Sequence, residues 1–439
     1  MNSLSNKKKD PELRNAAKAF VQAFSDAAAS SREDAIRIFE KRGWIGFEGG
    51  IVEWTDELTV ALTKFVERAA KMLGPKGGNE NAIRELALKE AQDALIKKSK
   101  NETAASQLIE SVFREGSAQF EFLVPNYLLL FNKKVRSIRV GRACAGFTSD
   151  LADYLRVKSP NDRIKVVPGD GFSIKYSGSP VTASIEMYPI AWLVTVNAAQ
   201  DNVEEEAKWL IDIAVSLLRL HYKVEGFRFP RNGTVEPHPL RPRDVDKVGV
   251  KIRGSSALVG GAEVPHAYEI SEEIQSIVAA SDFRSKAKLI FDPTDKSVAA
   301  RVGQGLGWLT RGRQAEDRSE RLLYFFTAIE ALLSTDDKTA PIVQTIARHA
   351  AVLLTNDMED RVGISALMKK LYALRSALVH NGSRGVLWSS TNTTQYLAEA
   401  MFSRVLDEVD LGSNHVKFCD DLVTASFGLP WPLKDKQST

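Results

Sequence analysis

A multidomain α+β chain is what this sequence predicts, with a helical N-terminal region, a central α+β domain and a C-terminal all-α helical bundle. Three observations carry that expectation. Apolar residues recur at helical spacing from about residue 10 to 115, strand-like alternation takes over from about 116 to 270, and helical spacing returns from Glu272 until about 425. The chain has 439 residues, too many for one small core, so two or three domains are expected. The boundaries drawn from the sequence are 1–115, 116–282 and 283–425, with 426–439 as a tail.

In the first region, Leu13 to Phe24 returns an apolar residue every three or four positions. Thr55 is placed as an N-cap, with Asp56 and Glu57 in the first turn where they suit the helix dipole. That helix should run to Met72-Leu73 and stop at Gly74-Pro75, and Asn79 or Asn81 should start another through Ile96. In the second region, segments at 120–125, 138–141, 164–167, 172–176, 181–188 and 191–196 have strand character. One helix interrupts them, from Val203 to about Leu220, with Ala207, Leu210, Ile211, Ala214, Leu217 and Leu218 on one face. The segment 227–255 collects Arg228, Arg231, Arg241, Arg243, Lys247, Lys251 and Arg253 among prolines, and reads first as a solvated connection and second as a phosphate-tracking loop. In the third region, helices are expected at 317–333, 340–354, 364–379 and 394–406, enough for a bundle with short connections.

Lys and Arg number 59 against 56 for Asp and Glu, a formal charge of +3, so overall charge does not point to nucleic acid. Cys144 and Cys419 lie far apart without neighbouring ligands, which argues against a zinc cluster or a disulfide framework and for a reducing, cytoplasmic setting. The start of the chain has lysines but no apolar run behind them, and no window reaches the roughly 18 apolar residues a membrane helix needs, so no membrane association is expected.

No P-loop, HExxH or GxSxG pattern is present, and neither a cofactor nor a metal is expected. Val302-Gly-Gln-Gly-Leu-Gly-Trp308 looks like a glycine-rich phosphate loop, yet no strand leads into it, and glycines that ease close helix packing are the better reading. His221, His238, His266, His349 and His415 are single residues without a ligand-like pattern, and none is given a role.

The segment from Lys370 to Gly382 stands apart. Ile364, Leu367, Met368, Leu371 and Leu378 form an apolar stripe, and Arg375, four residues after Leu371, falls on or beside it. An arginine there is costly without a partner. Glu330 lies against the apolar face made by Leu322, Phe325, Phe326, Ile329 and Leu333, and is the candidate. His380 falls at a helix end, just before Asn381-Gly382, a left-handed C-cap pattern. Histidine is the side chain that exchanges protons near neutral pH, as a general acid or base must.

Trp308-Leu, the run Asp317 to Leu333, Ile346 to Leu354, and Leu371 to Gly382, in this order, resemble the Apea-like branch of the HEPN superfamily. The resemblance covers about residues 295–410. It implies a four- or five-helix HEPN bundle that forms a homodimer, bringing two R-x4-H motifs into one cleft. Many members of the family are metal-independent ribonucleases in phage defence, toxin–antitoxin or RNA-processing systems. Carried over, Arg375 and His380 take the catalytic positions and Glu330 that of the acidic residue of the first long helix. Ser376 stands where the family often has Asn, Asp or His, and Asn381 supports the motif's end. Lys369, Lys370 and Arg384 beside the motif, with Arg241 and Arg243 from the basic segment, are the candidate RNA-binding cations. The implied partner is RNA, tRNA among the candidates, with a phage-derived or protein trigger sensed by the first two domains. The alternative is a catalytically silent HEPN protein that dimerises through the bundle and binds a ligand or protein.

Overall fold

The computed structural model describes residues 8–41, 43–48, 50–132, 134–151, 164–166, 171–175, 182–186, 190–221, 235–236, 238–241, 249–253, 256–260, 268–335, 341–382 and 385–432. It is predominantly helical, with short strands in its middle and helices throughout its C-terminal part. The chain divides into two compact units, one of residues 1–122 and 195–207, the other of residues 123–194 and 208–439.

The first unit is built on α1 (Pro11–Asp26), α2 (Arg32–Glu40), α3 (Asp56–Leu73), α4 (Glu80–Ile96) and α5 (Asn101–Gly116). The starts of α1 to α4 follow side-chain capping, which satisfies amides that a helix leaves without partners. Asp10 accepts from the Leu13 amide at 2.8 Å, Thr55 from Leu58 at 3.1 Å, and Asn79 from Asn81 at 3.1 Å. Leu13, Phe20, Phe24, Leu58, Leu62, Phe65, Leu108 and Phe113 meet in one core. The Phe20 and Phe65 rings stack with centroids 6.2 Å apart. The uniformly helical reading of 10–115 fails at one place: β1 (Trp44–Phe47) and β2 (Gly50–Glu53) form an antiparallel hairpin, and β2 also bridges Ala28 through Val52. Alternation over so few residues is too short a signal to separate from a helix end.

In the sheet region, β3 (Gln119–Pro125), β4 (Leu129–Phe131), β5 (Ser137–Val140), β6 (Ala143–Phe147), β7 (Ile164–Val166), β8 (Gly171–Lys175), β9 (Thr182–Glu186) and β10 (Ile190–Asn197) follow in turn. The largest sheet has the order β3-β10-β6-β5, with Trp192 of β10 opposite Ala145 of β6. Trp192 is fully buried, and its indole Nε1 donates to Asn126 Oδ1 at 2.9 Å. Strands β11 (Gly249–Arg253) and β12 (Ser256–Gly260) pair with each other, and β13 (Tyr268–Ile270) runs parallel to β4.

The second unit continues with α6 (Val203–His221, from Lys208 on), α7 (Glu272–Ala279), α8 (Ser281–Phe291), α9 (Val298–Gln314), α10 (Arg318–Leu333), α11 (Ile342–Leu354), α12 (Met358–Asn381), α13 (Trp388–Glu408) and α14 (His415–Ala425). The glycines of α9 do ease close packing. A Cβ at Gly305 would lie 2.1 Å from Phe402 Cζ, and one at Gly307 would lie 2.4 Å from Trp209 Cη2. α12 starts earlier than its apolar stripe, because Asp357 caps it by accepting from the Asp360 amide at 2.9 Å. The segment read as a solvated basic connection contains Glu236, which is 3% exposed and sits among the helices.

Candidate active site

Two helices build the site. On α10, Leu322, Phe325, Phe326, Ile329, Leu332 and Leu333 are fully buried, which fixes the rotation of the helix and leaves Glu330 half-buried at the edge of the packed face. On α12, Met368 and Leu371 are buried and play the same part for Arg375, one turn beyond Leu371. Arg361 anchors the start of this helix, donating to the carbonyls of Thr355 (2.9 Å), Ala425 (2.8 Å) and Leu429 (3.0 Å). Gly382 closes its other end in the left-handed conformation, φ 64°, which glycine adopts without steric cost.

Arg375 meets its candidate partner Glu330. Arg375 Nη2 donates to Glu330 Oε2 at 3.3 Å and lies 3.3 Å from Oε1, with the two side chains 24% and 23% exposed. The bond is long and half-solvated, so it orients the arginine more than it stabilises the fold. Nε and Nη1 of Arg375 have no partner among the described residues. Glu330 Oε1 is buried and accepts no hydrogen bond.

The sequence reading missed Tyr372. Its ring packs edge-on against Phe326 at 5.5 Å, and the Arg375 guanidinium lies over it at 5.4 Å. Burial, then the charge of Glu330 and a hydrogen bond to it, push the Tyr372 phenol up to about 12, so it keeps its proton at neutral pH and serves as a donor. The available signal was its place three residues before Arg375, on an adjoining part of the helix face.

His380 is exposed and has no side-chain partner among the described residues. It follows Arg375 by five residues, which puts it about 140° around the helix and roughly 7.5 Å further along. Arg375 and His380 are therefore not brought together on one face of the helix. His380 instead ends a row of residues four apart, Tyr372, Ser376 and His380, running beside Arg375. Ser376 is half-buried, and Asn381, Lys369 and Lys370 are exposed. Arg384 and Arg243 lie outside the described residues, while Arg241 is exposed on the segment 238–241.

The other histidines divide by burial. His349 Nδ1 and His415 Nε2 lie 3.0 Å and 2.8 Å from the carbonyls of Leu333 and Leu332, at the end of the helix that carries Glu330. His221 Nδ1 is 3.0 Å from the Leu217 carbonyl, and His266 lies outside the described residues.

The chain matches no protein-family model, no curated protein and no solved structure.

Proposed function

We propose that this chain is a metal-independent endoribonuclease of the HEPN type that acts as a homodimer, in anti-phage defence or as a toxin. One observation carries the reading: a guanidinium oriented by a half-buried carboxylate keeps two of its three nitrogens available to a phosphate. Arg375 supplies charge to the phosphorane formed when the RNA 2′-OH attacks the adjacent phosphate. Glu330 fixes the arginine, and His380 moves a proton at the attacking or the leaving oxygen. Attack by the 2′-OH restricts the reaction to RNA and leaves a 2′,3′-cyclic phosphate. Dimer formation is favoured by α12, where Ile364, Leu367, Leu374 and Leu378 are only half covered and Val379 is 50% exposed.

The test incubates the purified protein with total RNA and with tRNA in EDTA, beside His380→Ala and Glu330→Gln. Cutting that the His380 variant abolishes and the Glu330 variant slows at least tenfold is expected, with both variants as stable as the parent to within about 1 kcal/mol. A 3′-hydroxyl product, or cutting that needs Mg²⁺, refutes the mechanism. The silent-dimer reading is favoured by the separation of Arg375 from His380 within one chain; it predicts no cutting and a function indifferent to His380→Ala.

A further inference from the structure

The outer stripe of α9 is not used by this chemistry. Arg301, Gln304, Trp308 and Arg311 follow one another at helical spacing, and Gly307, on the flank of this stripe, lets Trp209 pack closely against the helix. Gln304 is exposed and the other three are half-buried. Arg301 and Arg311 stand about 15 Å apart along the helix. Trp308 stacks on Tyr324 of α10, centroids 5.5 Å apart and 21° between planes, and meets Trp209 of α6 edge-on at 5.5 Å. Arg311 lies over both indoles, 4.7 Å from the Trp209 centroid and 5.2 Å from that of Trp308.

Arg311 is only partly paired. Arg311 Nε donates to Asp212 Oδ2 at 3.2 Å, while Nη1 and Nη2 have no partner among the described residues and the side chain is 38% exposed. Burial pushes the Asp212 carboxyl up to about 7, so it offsets the arginine only in part near neutral pH. Burial, then the charges of Arg241, Lys208 and Arg311, push His238 down to about 4. The imidazole is therefore neutral.

We propose that this aromatic and cationic stripe, made by Arg301, Trp308 and Arg311 with Trp209 and Tyr324 beside it, is a docking track for single-stranded RNA. Charge complementarity selects a polyanion, and half-exposed indoles and a phenol favour unpaired bases over a duplex whose bases are already stacked. The choice of RNA rests on the nuclease reading. None of its residues is on α12, the helix that carries Arg375, so the track is assigned to holding substrate and not to the scissile phosphate.

The experiment measures binding and not cutting. Full-length His380→Ala protein is titrated into a dye-labelled single-stranded RNA in EDTA, with anisotropy and tryptophan quenching as readouts. Trp308→Leu should weaken binding about tenfold and remove part of the quenching. The paired change Arg311→Gln with Asp212→Asn leaves no uncompensated buried carboxylate, and should lower the salt slope by about one. Circular dichroism checks that both variants fold. Unchanged affinity and quenching in both, or preference for duplex RNA, overturns the track. A track that binds RNA in a protein that never cuts leaves this inference standing and removes the nuclease; cutting with unaltered binding in the variants does the reverse.

Discussion

Replacing Glu236 by glutamine should strongly destabilise the second unit. Glu236 Oε1 accepts from Arg219 Nε at 3.1 Å and Oε2 from Arg313 Nε at 3.1 Å, while its backbone amide donates to the Arg313 carbonyl at 2.9 Å. The Arg313 side chain is 0% exposed and that of Glu236 is 2%. Arg313 is further held by Ser216 Oγ at 2.6 Å and by Glu399 Oε1 at 3.3 Å. An amide keeps the volume but removes the charge, leaving Arg313 buried with Glu399 as its remaining close carboxylate among the described residues. Breaking one side of such a buried pair costs about 3–5 kcal/mol, against a total stability of roughly 5–15 kcal/mol for a domain. With a urea slope of about 3 kcal/mol per molar, the midpoint should fall by about 1–1.7 M. Burial alone would raise the Glu236 carboxyl, but Arg313 and Arg219 outweigh it and hold the group below its ordinary value. Its contribution is therefore intact at neutral pH and is lost as pH falls through the lowered folded value. A Glu236→Gln midpoint within about 0.2 M of the parent at pH 7 would show that the cluster is wet or loosely paired, and would refute the reasoning.

An alanine at Gly305 sets a methyl group 2.1 Å from Phe402 Cζ and 3.1 Å from the Ala328 carbonyl; the overpacking should cost about 2 kcal/mol, read as a lower urea midpoint. His349 is fully buried, and burial first of all pushes its imidazole down to about 4. Because the unfolded chain then binds more protons, stability should be complete above the ordinary histidine value and fall by about 3 kcal/mol as pH drops to 4; urea midpoints of His349→Gln should show a shallower acid limb. Arg375→Ala and His380→Ala proteins, each inactive alone, should regain cutting when mixed and allowed to exchange subunits. A mixed dimer then holds one intact pair, and no recovery on mixing would place both groups of a working site on one chain.

The helix boundaries were legible because capping is local. Thr55, Asn79, Asp317 and Gly382 sit at the ends that their side chains or backbone freedom suit. The Glu330–Arg375 pair was legible for a related reason, since a charge on a packed helix face demands a counter-charge on another packed face. Tyr372 was not, because its contact with Glu330 depends on how α10 and α12 are set against each other, which no periodicity encodes. Glu236 was still harder to see. It lies among arginines and prolines that read as a solvated connection, and only the tertiary arrangement shows that its partners are Arg219 and Arg313, both on helices.

The same distinction governs the candidate site. Spacing places Arg375 toward the core of its own bundle and His380 away from it, so their separation was already implicit in the five-residue interval. A general acid–base and a phosphate clamp on opposite sides of one helix cannot both reach one phosphate from one straight approach. On the proposed reading, a two-fold axis beside α12 resolves this, since an isologous interface presents each helix to its own copy. The half-covered stripe of Ile364, Leu367, Leu374 and Leu378 then has a purpose that the isolated chain does not explain. On that reading an R-x4-H interval divides the two groups between neighbouring chains, so the isolated chain would be inert and the assembled pair would be the enzyme.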